Sequence, residues 1–304
     1  MHPTALLIGG TGFAGSHMQH LLNSEYRVIV TGHSTDIRNS GQLSDLVKLS
    51  SPDFVVNFAS VTTVKESSDD PHRTYQVGFL GTLNLLEALK KTKFRGRFLN
   101  ISSSEVYGFP SRDELPVRET APLRPMSHYS VSKAATEALC YQWSQTEHFE
   151  IVTARPFTHI GPGQNAKFAI ASFTKQIAEI LLKKREPVMH VGDLRTSRDL
   201  TDVRDVVRAY RLLMEKGRSG EVYNVCSNKE VSIRSVLDDL IRLSQTPISI
   251  SQEETRLRPA EQQRTLGSFE KLRDQTGWLP EIPLVQTLQD TVLYWKEQLS
   301  QAGR

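Results

Sequence analysis

TALLIGGTGFAGSHMQHLL, Thr4 to Leu22, decides how the chain folds. Thr4 to Ile8 is a short apolar run that stops at Gly9, after which Met18, Leu21 and Leu22 recur at helical spacing. The order is strand, glycine turn, helix. Gly9, Gly12 and Gly15 allow the turn to close tightly, a pyrophosphate to approach the backbone, and the helix to pack on the strand, while the helix N-terminus attracts the phosphate charge. A lone glycine fingerprint is a weak signal. Here strands and helices go on alternating as far as Arg155, which predicts an α/β fold with a doubly wound parallel sheet that binds a dinucleotide.

Moving outward, the second strand, Arg27 to Thr31, ends in Gly32, His33 and Ser34, so the acidic residue that would bind an NAD ribose 2'-hydroxyl is missing. Asp36 comes late and suits the adenine edge instead, and Arg38 is the only arginine close by. A 2'-phosphate is tolerated there, so NADP(H) is favoured and NAD(H) stays possible. Asp53 to Ala59 reads as the next strand. Pro71 to Lys91 reads as one long helix whose apolar side, including Leu80, Leu85 and Leu89, can pack against the sheet or against another subunit. Arg97 to Ser102 is a further strand, and it delivers Ser103, Ser104 and Glu105 to the carboxyl end, where a parallel sheet faces its ligand. A strand-end serine is more often a turn cap than a catalyst.

The stretch SHYSVSKAA, Ser127 to Ala135, shifts that balance. If it is helical, as Ala134, Ala135, Glu137, Ala138 and Leu139 favour, Tyr129 and Lys133 share one face. A free phenol titrates near ~10, and bringing it towards neutrality takes roughly 4 kcal/mol. A positive charge ~4 Å away at an effective dielectric of ~20 supplies about that much, so Lys133 is expected to make Tyr129 a usable acid or base. Taken alone, such a pair is most often an ordinary amphipathic helix with a surface lysine and a buried tyrosine; together with the glycine turn and Ser103 it points to proton-transfer catalysis.

Composition narrows the rest. The 304 residues suffice for two average domains or for one large α/β unit with an appended lobe, and 38% hydrophobic with 23% charged residues is a soluble globular composition. No apolar run approaches a membrane span, and MHPTALLIGG has no signal-peptide features, so a cytoplasmic location is the expectation. The two cysteines, Cys140 and Cys226, suit reduced core thiols. His17 and His20 lack a third ligand nearby, so no metal site is expected. A net charge of +3 without a dense basic run argues against nucleic acid as a partner.

Together GGTGFAG, ISSSEVYG and YSVSK resemble the extended short-chain dehydrogenase/reductase family. RPFTHIGPGQ (Arg155 to Gln164), SRDLTDVRDV (Ser197 to Val206), VYNVCS, RPAEQQR (Arg258 to Arg264) and TGWLPEI follow in the family's order. Within it, RPFTHIGPGQ, SRDLTDV and AEQQR look like the GDP-6-deoxy-D-mannose reductase subgroup. The resemblance implies a Rossmann lobe (1–157 with 197–226) interleaved with a smaller, mainly helical nucleotide-sugar-binding lobe (158–196 with 227–304), the later strands Ile151 to Arg155 and Glu221 to Val225 rejoining the first sheet. It implies reduction of the C4 ketone of GDP-4-keto-6-deoxy-D-mannose to GDP-D-rhamnose. It further implies Tyr129 as proton donor, Lys133 lowering its pKa and holding the nicotinamide ribose, and Ser103 bonding the substrate carbonyl oxygen. Cofactor contacts fall on Gly9, Gly12, Phe13, Ala14, Gly15, Asp36, Ile37, Ala59, Pro156 and His159. Substrate contacts fall on Ser103, Thr158, Lys175, Arg198, Arg258 and Glu261, the arginines suiting phosphate oxygens.

Two positions depart from the family pattern. Thr158 stands where relatives carry an asparagine touching the diphosphate, and Gly78 where relatives carry an asparagine supporting the active-site water chain. Glu105 has three readings: base of a 4,6-dehydratase, remnant carboxylate in a reductase hydrogen-bond network, or plain strand-end charge. A 4-epimerase uses the same Tyr129/Lys133 chemistry, and a nucleotide-sensing interaction protein that has abandoned turnover is the alternative outside enzymes. The resemblance also implies a homodimer through a four-helix bundle built from Pro71 to Lys91 and Ser127 to Thr146, with Leu80, Leu139 and Trp143 available for it.

Overall fold

The structure is a computed structural model and describes residues 2–32, 34–253 and 263–301. Its strands are β1 (Thr4–Ile8), β2 (Arg27–Val30), β3 (Phe54–Asn57), β4 (Arg97–Ile101), β5 (Glu150–Pro156), β6 (Thr158–Ile160), β7 (Val188–Val191), β8 (Ser197–Asp202), β9 (Val222–Val225), β10 (Glu230–Ser232) and β11 (Ser249–Gln252). Six of them form the central sheet in the order β2-β1-β3-β4-β5-β9, every pairing parallel. The chain winds first to β2 and then back past β1 to β3, so the order reverses between β1 and β3. Ligands of such sheets bind at that reversal, outside the carboxyl ends of the strands.

Alternation along the strands explains the unbroken apolar runs. Ala5 and Leu7 of β1 belong to one core and Leu6 and Ile8 to another, and Val56 and Val55 of β3 divide the same way. Both strands are buried on both faces. The first core takes in helices Phe13–Leu22, Val203–Lys216 and Glu270–Thr276, through Met18, Val206, Tyr210 and Leu272. The second takes in Ser40–Ser50, Gly81–Lys91 and His128–Thr146, through Leu43, Leu85, Leu89 and Cys140. A third core lies among helices Ala169–Leu181, Ile233–Ser244 and Leu284–Gln301, together with the small sheets β10-β8-β6 and β11-β7.

The Pro71–Lys91 stretch is helical throughout but changes pitch. Asp70 caps its start by accepting from Arg73 N, and Pro71 sits at the first helical position. Gln76–Leu80 then forms a π-helical turn before the α-helix Gly81–Lys91. The turn lies against helix His128–Thr146, where a Cβ at Gly78 would run into the Ser132 hydroxyl. Gly78 is therefore a packing requirement of this chain. No helix among the described residues is long and apolar enough to cross a membrane.

Candidate active site

The glycine turn sits at the sheet's reversal point. Gly9 has φ +69, and a Cβ there would lie 2.8 Å from Ala59 N, at the end of β3. Gly15 lies so close to the Gly10 backbone that only hydrogen fits between helix and turn. Gly12 is exposed, a Cβ there would meet only the Gly9 carbonyl at an ordinary 3.7 Å, and it begins helix Phe13–Leu22 with no side-chain cap. The first-turn N–H groups that need a partner thus border a gap along the backbone. A dinucleotide pyrophosphate fits this arrangement.

Ser127 sets the second half of the site. It caps helix His128–Thr146 by accepting from Ser130 N, while Ser130 Oγ accepts from Ser127 N at 3.0 Å. Tyr129 is thereby fixed in the first turn, half-buried, with Lys133 buried one turn on. Lys133 Nζ donates to the Ile101 carbonyl at 2.6 Å and lies 5.8 Å from the Tyr129 ring centroid. Ser103, just past β4, accepts from Glu105 N at 3.2 Å and also hydrogen-bonds the Tyr129 phenol. It is both a turn cap and a partner of the phenol.

Electrostatics here correct one expectation. Burial pushes the Tyr129 pKa up to about 12; the Ser103 hydrogen bond lowers it and the nearby Glu105 charge raises it. Lys133, whose own pKa burial brings down to about 8 against the opposing charge of Glu137, is engaged with Ile101. Lys133 therefore does not bring Tyr129 towards neutrality in this arrangement. The phenol stays protonated at neutral pH, the state a proton donor requires.

The other expected residues are distributed as follows. Phe13 stacks on His159, ring centroids 5.8 Å apart and planes 5° apart, so the glycine turn touches the start of β6. Burial lowers the His159 pKa and its Nδ1 faces the Phe157 carbonyl, so the ring is neutral at pH 7. Pro156 is buried, Thr158 exposed, and Ala14 partly buried beside the turn. Asp36 forms a fork with Arg38, 2.7 Å at its closest, which holds its carboxyl down at about 2. Ile37 is buried in the second core, with its carbonyl accepting from Asn84. Lys175 lies 3.8 Å from Glu179 and 5.5 Å from the Trp295 ring, in the third core's helices. Arg198, on β8, donates to the Ser197 carbonyl at 2.8 Å. Arg258 and Glu261 lie outside the described residues.

Sequence reasoning missed Glu137, Arg155 and Ser102, which meet directly behind Lys133. Glu137 accepts from Arg155 Nε and Nη2 and from the Ser102 hydroxyl. The available signal was the spacing: Glu137 follows Tyr129 and Lys133 at four-residue intervals on one helix face.

A glycine turn at the reversal point, with a tyrosine, a buried lysine and a strand-end serine converging beside it, defines a short-chain dehydrogenase/reductase of the extended type. Residues 29–291 match the family model described as GDP-mannose 4,6 dehydratase. The chain is 42% identical over 294 residues to the GDP-6-deoxy-D-mannose reductase of Pseudomonas aeruginosa, covering 96% of each chain. The solved structure of RMD from Pseudomonas aeruginosa complexed with NADPH superposes with a TM-score of 0.91 at 42% identity, covering 97% of this chain and 99% of that one. UDP-glucose 4-epimerase from Thermotoga maritima, solved with UDP-glucose, superposes at 0.87 and 25% identity, covering 97% and 99%. The chain belongs to the GDP-mannose 4,6-dehydratase family of extended short-chain dehydrogenases/reductases.

Proposed function

We propose that the protein reduces the C4 ketone of GDP-4-keto-6-deoxy-D-mannose to GDP-D-rhamnose with NADP(H) as its favoured reductant and NAD(H) as a possible one. The observation that carries this is the convergence of Tyr129, Ser103 and Lys133 beside the glycine turn, in a chain 42% identical to a GDP-6-deoxy-D-mannose reductase. When bound, the reduced nicotinamide supplies the hydride. The chain's own residues do the rest. Ser103 and Tyr129 donate to the ketone oxygen as negative charge develops there, and Tyr129 gives up its proton so that the alkoxide leaves as an alcohol. Lys133 anchors the strand end and supplies positive charge beneath the phenol. Gly9, Gly12, Phe13, Ala14 and Gly15 line the pyrophosphate side of the cofactor site, Asp36 and Ile37 its adenosine end, and Ala59, Pro156 and His159 its nicotinamide side. Thr158, Lys175, Arg198, Arg258 and Glu261 are assigned to the nucleotide sugar.

In this reading 1–157 with 197–226 form the cofactor lobe and 158–196 with 227–304 the sugar lobe. The protein acts in the cytoplasm as a homodimer. The test is near-ultraviolet NADPH absorbance after addition of GDP-4-keto-6-deoxy-D-mannose. One NADPH is consumed per sugar, and Tyr129→Phe lowers kcat by about 10²- to 10⁴-fold. A second reading rests on Glu105, whose charge reaches the Tyr129 phenol. Conversion of GDP-mannose to the ketosugar without net cofactor use, abolished by Glu105→Gln, would establish a dehydratase and overturn the reductase.

A further inference from the structure

Helix His128–Thr146 presents Tyr129, Lys133 and Glu137 at successive turns, and each engages one of three consecutive residues at the end of β4. Tyr129 meets Ser103, Lys133 Nζ meets the Ile101 carbonyl at 2.6 Å, and Glu137 accepts from the Ser102 hydroxyl. The third engagement lies behind the reacting groups. Glu137 is only 6% exposed and shares its carboxylate with Arg155 of β5, which is 4% exposed, through bonds of 2.9, 3.1 and 2.5 Å. Arg155 is itself held by the Tyr107 hydroxyl at 2.8 Å and the Glu119 carbonyl at 3.3 Å, and Tyr107 donates to Asn224 of β9 at 2.7 Å.

A buried ion pair is weak evidence for stability, because desolvating two charges offsets their attraction and apolar replacements are often neutral or better. Its place in this fold suggests a different use. We propose that Glu137 is a positioning residue of the active site: its carboxylate, aimed by Arg155, holds the strand end that carries Ser103 in register with Tyr129 and stands one helical turn from the Lys133 ammonium as its counter-charge. The assignment rests on the oxidoreductase reading above. Around that ammonium, the helix itself contributes Tyr129, Glu137 and Cys140. Among the described residues of the surrounding elements, Arg155 with Tyr107 reaches Glu137, and Glu105 and Tyr210 of Val203–Lys216 reach Tyr129. Of these, Glu137 is the largest influence opposing the burial that brings the Lys133 pKa down to about 8.

Three variants separate the contributions. Ser102→Ala removes only the strand-end hydroxyl. Glu137→Gln removes the negative charge but leaves Arg155 buried, and it is expected to lower Tm. Glu137→Met combined with Arg155→Met removes both charges and is expected to fold. Two readouts are taken: the pH profile of kcat and KM for NADPH-dependent reduction, and the pH dependence of Lys133 acetylation by acetic anhydride in the folded protein, followed by peptide mass spectrometry. In Glu137→Gln and in the double variant, the acetylation midpoint and the alkaline limb of kcat/KM move down by about one unit. In Ser102→Ala the midpoint stays, while kcat falls about tenfold with KM within about twofold. A folded double variant with an unchanged midpoint and an unchanged alkaline limb would sink the proposal and leave Glu137 a structural residue. If the wild type reduces no such sugar, the functional reading fails, and the acetylation midpoints still decide the role of Glu137.

Discussion

Tyr129, the proposed proton donor, is half-buried within reach of the Glu105 charge. The Tyr129 pKa of about 12 keeps the phenol intact through neutral pH, and Ser103, which opposes that rise, is the group that shares the ketone oxygen in the proposed reaction. Position 13 carries another consequence at this scale. Phe13 lies parallel to His159 and edge-on to His17, and His17 Nε2 lies 2.8 Å from the Pro162 carbonyl. These contacts tie the glycine turn to the segment after β5. An aromatic pair is worth about 0.5–1.5 kcal/mol beyond its buried area. Phe13→Ala is therefore expected to raise the Kd for NADPH about tenfold at the upper end of that range. Fluorescence titration measures it; an unchanged Kd would mean that the stack does not hold the turn.

Helix Pro71–Lys91 shows where sequence patterns stop being legible. Its apolar positions, and those of the parallel strands, could be read from periodicity, because burial on a sheet face imposes a fixed repeat. The pitch change at Gln76–Leu80 could not, nor could the need for glycine at position 78, which depends on a neighbour distant in sequence: Ser132 on the facing helix occupies the space a side chain there would need. The site divides along the same line. Tyr129, Lys133 and the glycines announce themselves by spacing, whereas Glu137 and Arg155 become a pair only when β4, β5 and the helix are packed together. The Lys133–Ile101 bond, which redirects the ammonium, is equally tertiary. The helix contact yields a prediction in two halves. Gly78→Ala forces its methyl into the Ser132 hydroxyl and is expected to cost about 1–3 kcal/mol. Adding Ser132→Ala removes that oxygen and leaves the Ser132 Cβ 3.5 Å away, an ordinary contact, so the double variant recovers most of the loss. Denaturant midpoints of the two single variants and the double variant form the test, and strict additivity would show that the two positions do not compete.

The two helices that carry this contact also bear on assembly. Their inward faces are committed: Leu85, Leu86, Leu89 and Cys140 are buried in the second core, and Leu139 and Trp143 pack against it. The candidates for an intermolecular seam thus narrow to the outward residues, where Leu80 is 47%, Val131 38% and Tyr141 60% exposed. Leu80 is the last residue of the π-helical turn, and Val131 lies between Tyr129 and Lys133, so a partner seated there would press on the elements that aim the phenol. Burying a leucine side chain contributes about 1.5–3 kcal/mol, whereas placing a carboxylate in the same seam opposes association. The proposed dimer is accordingly expected to give twice the chain mass by light scattering at micromolar concentration, and Leu80→Glu to give the single-chain mass with a lower kcat. A wild type of single-chain mass would overturn the dimer. A Leu80→Glu variant that stays dimeric would move the seam off this helix pair.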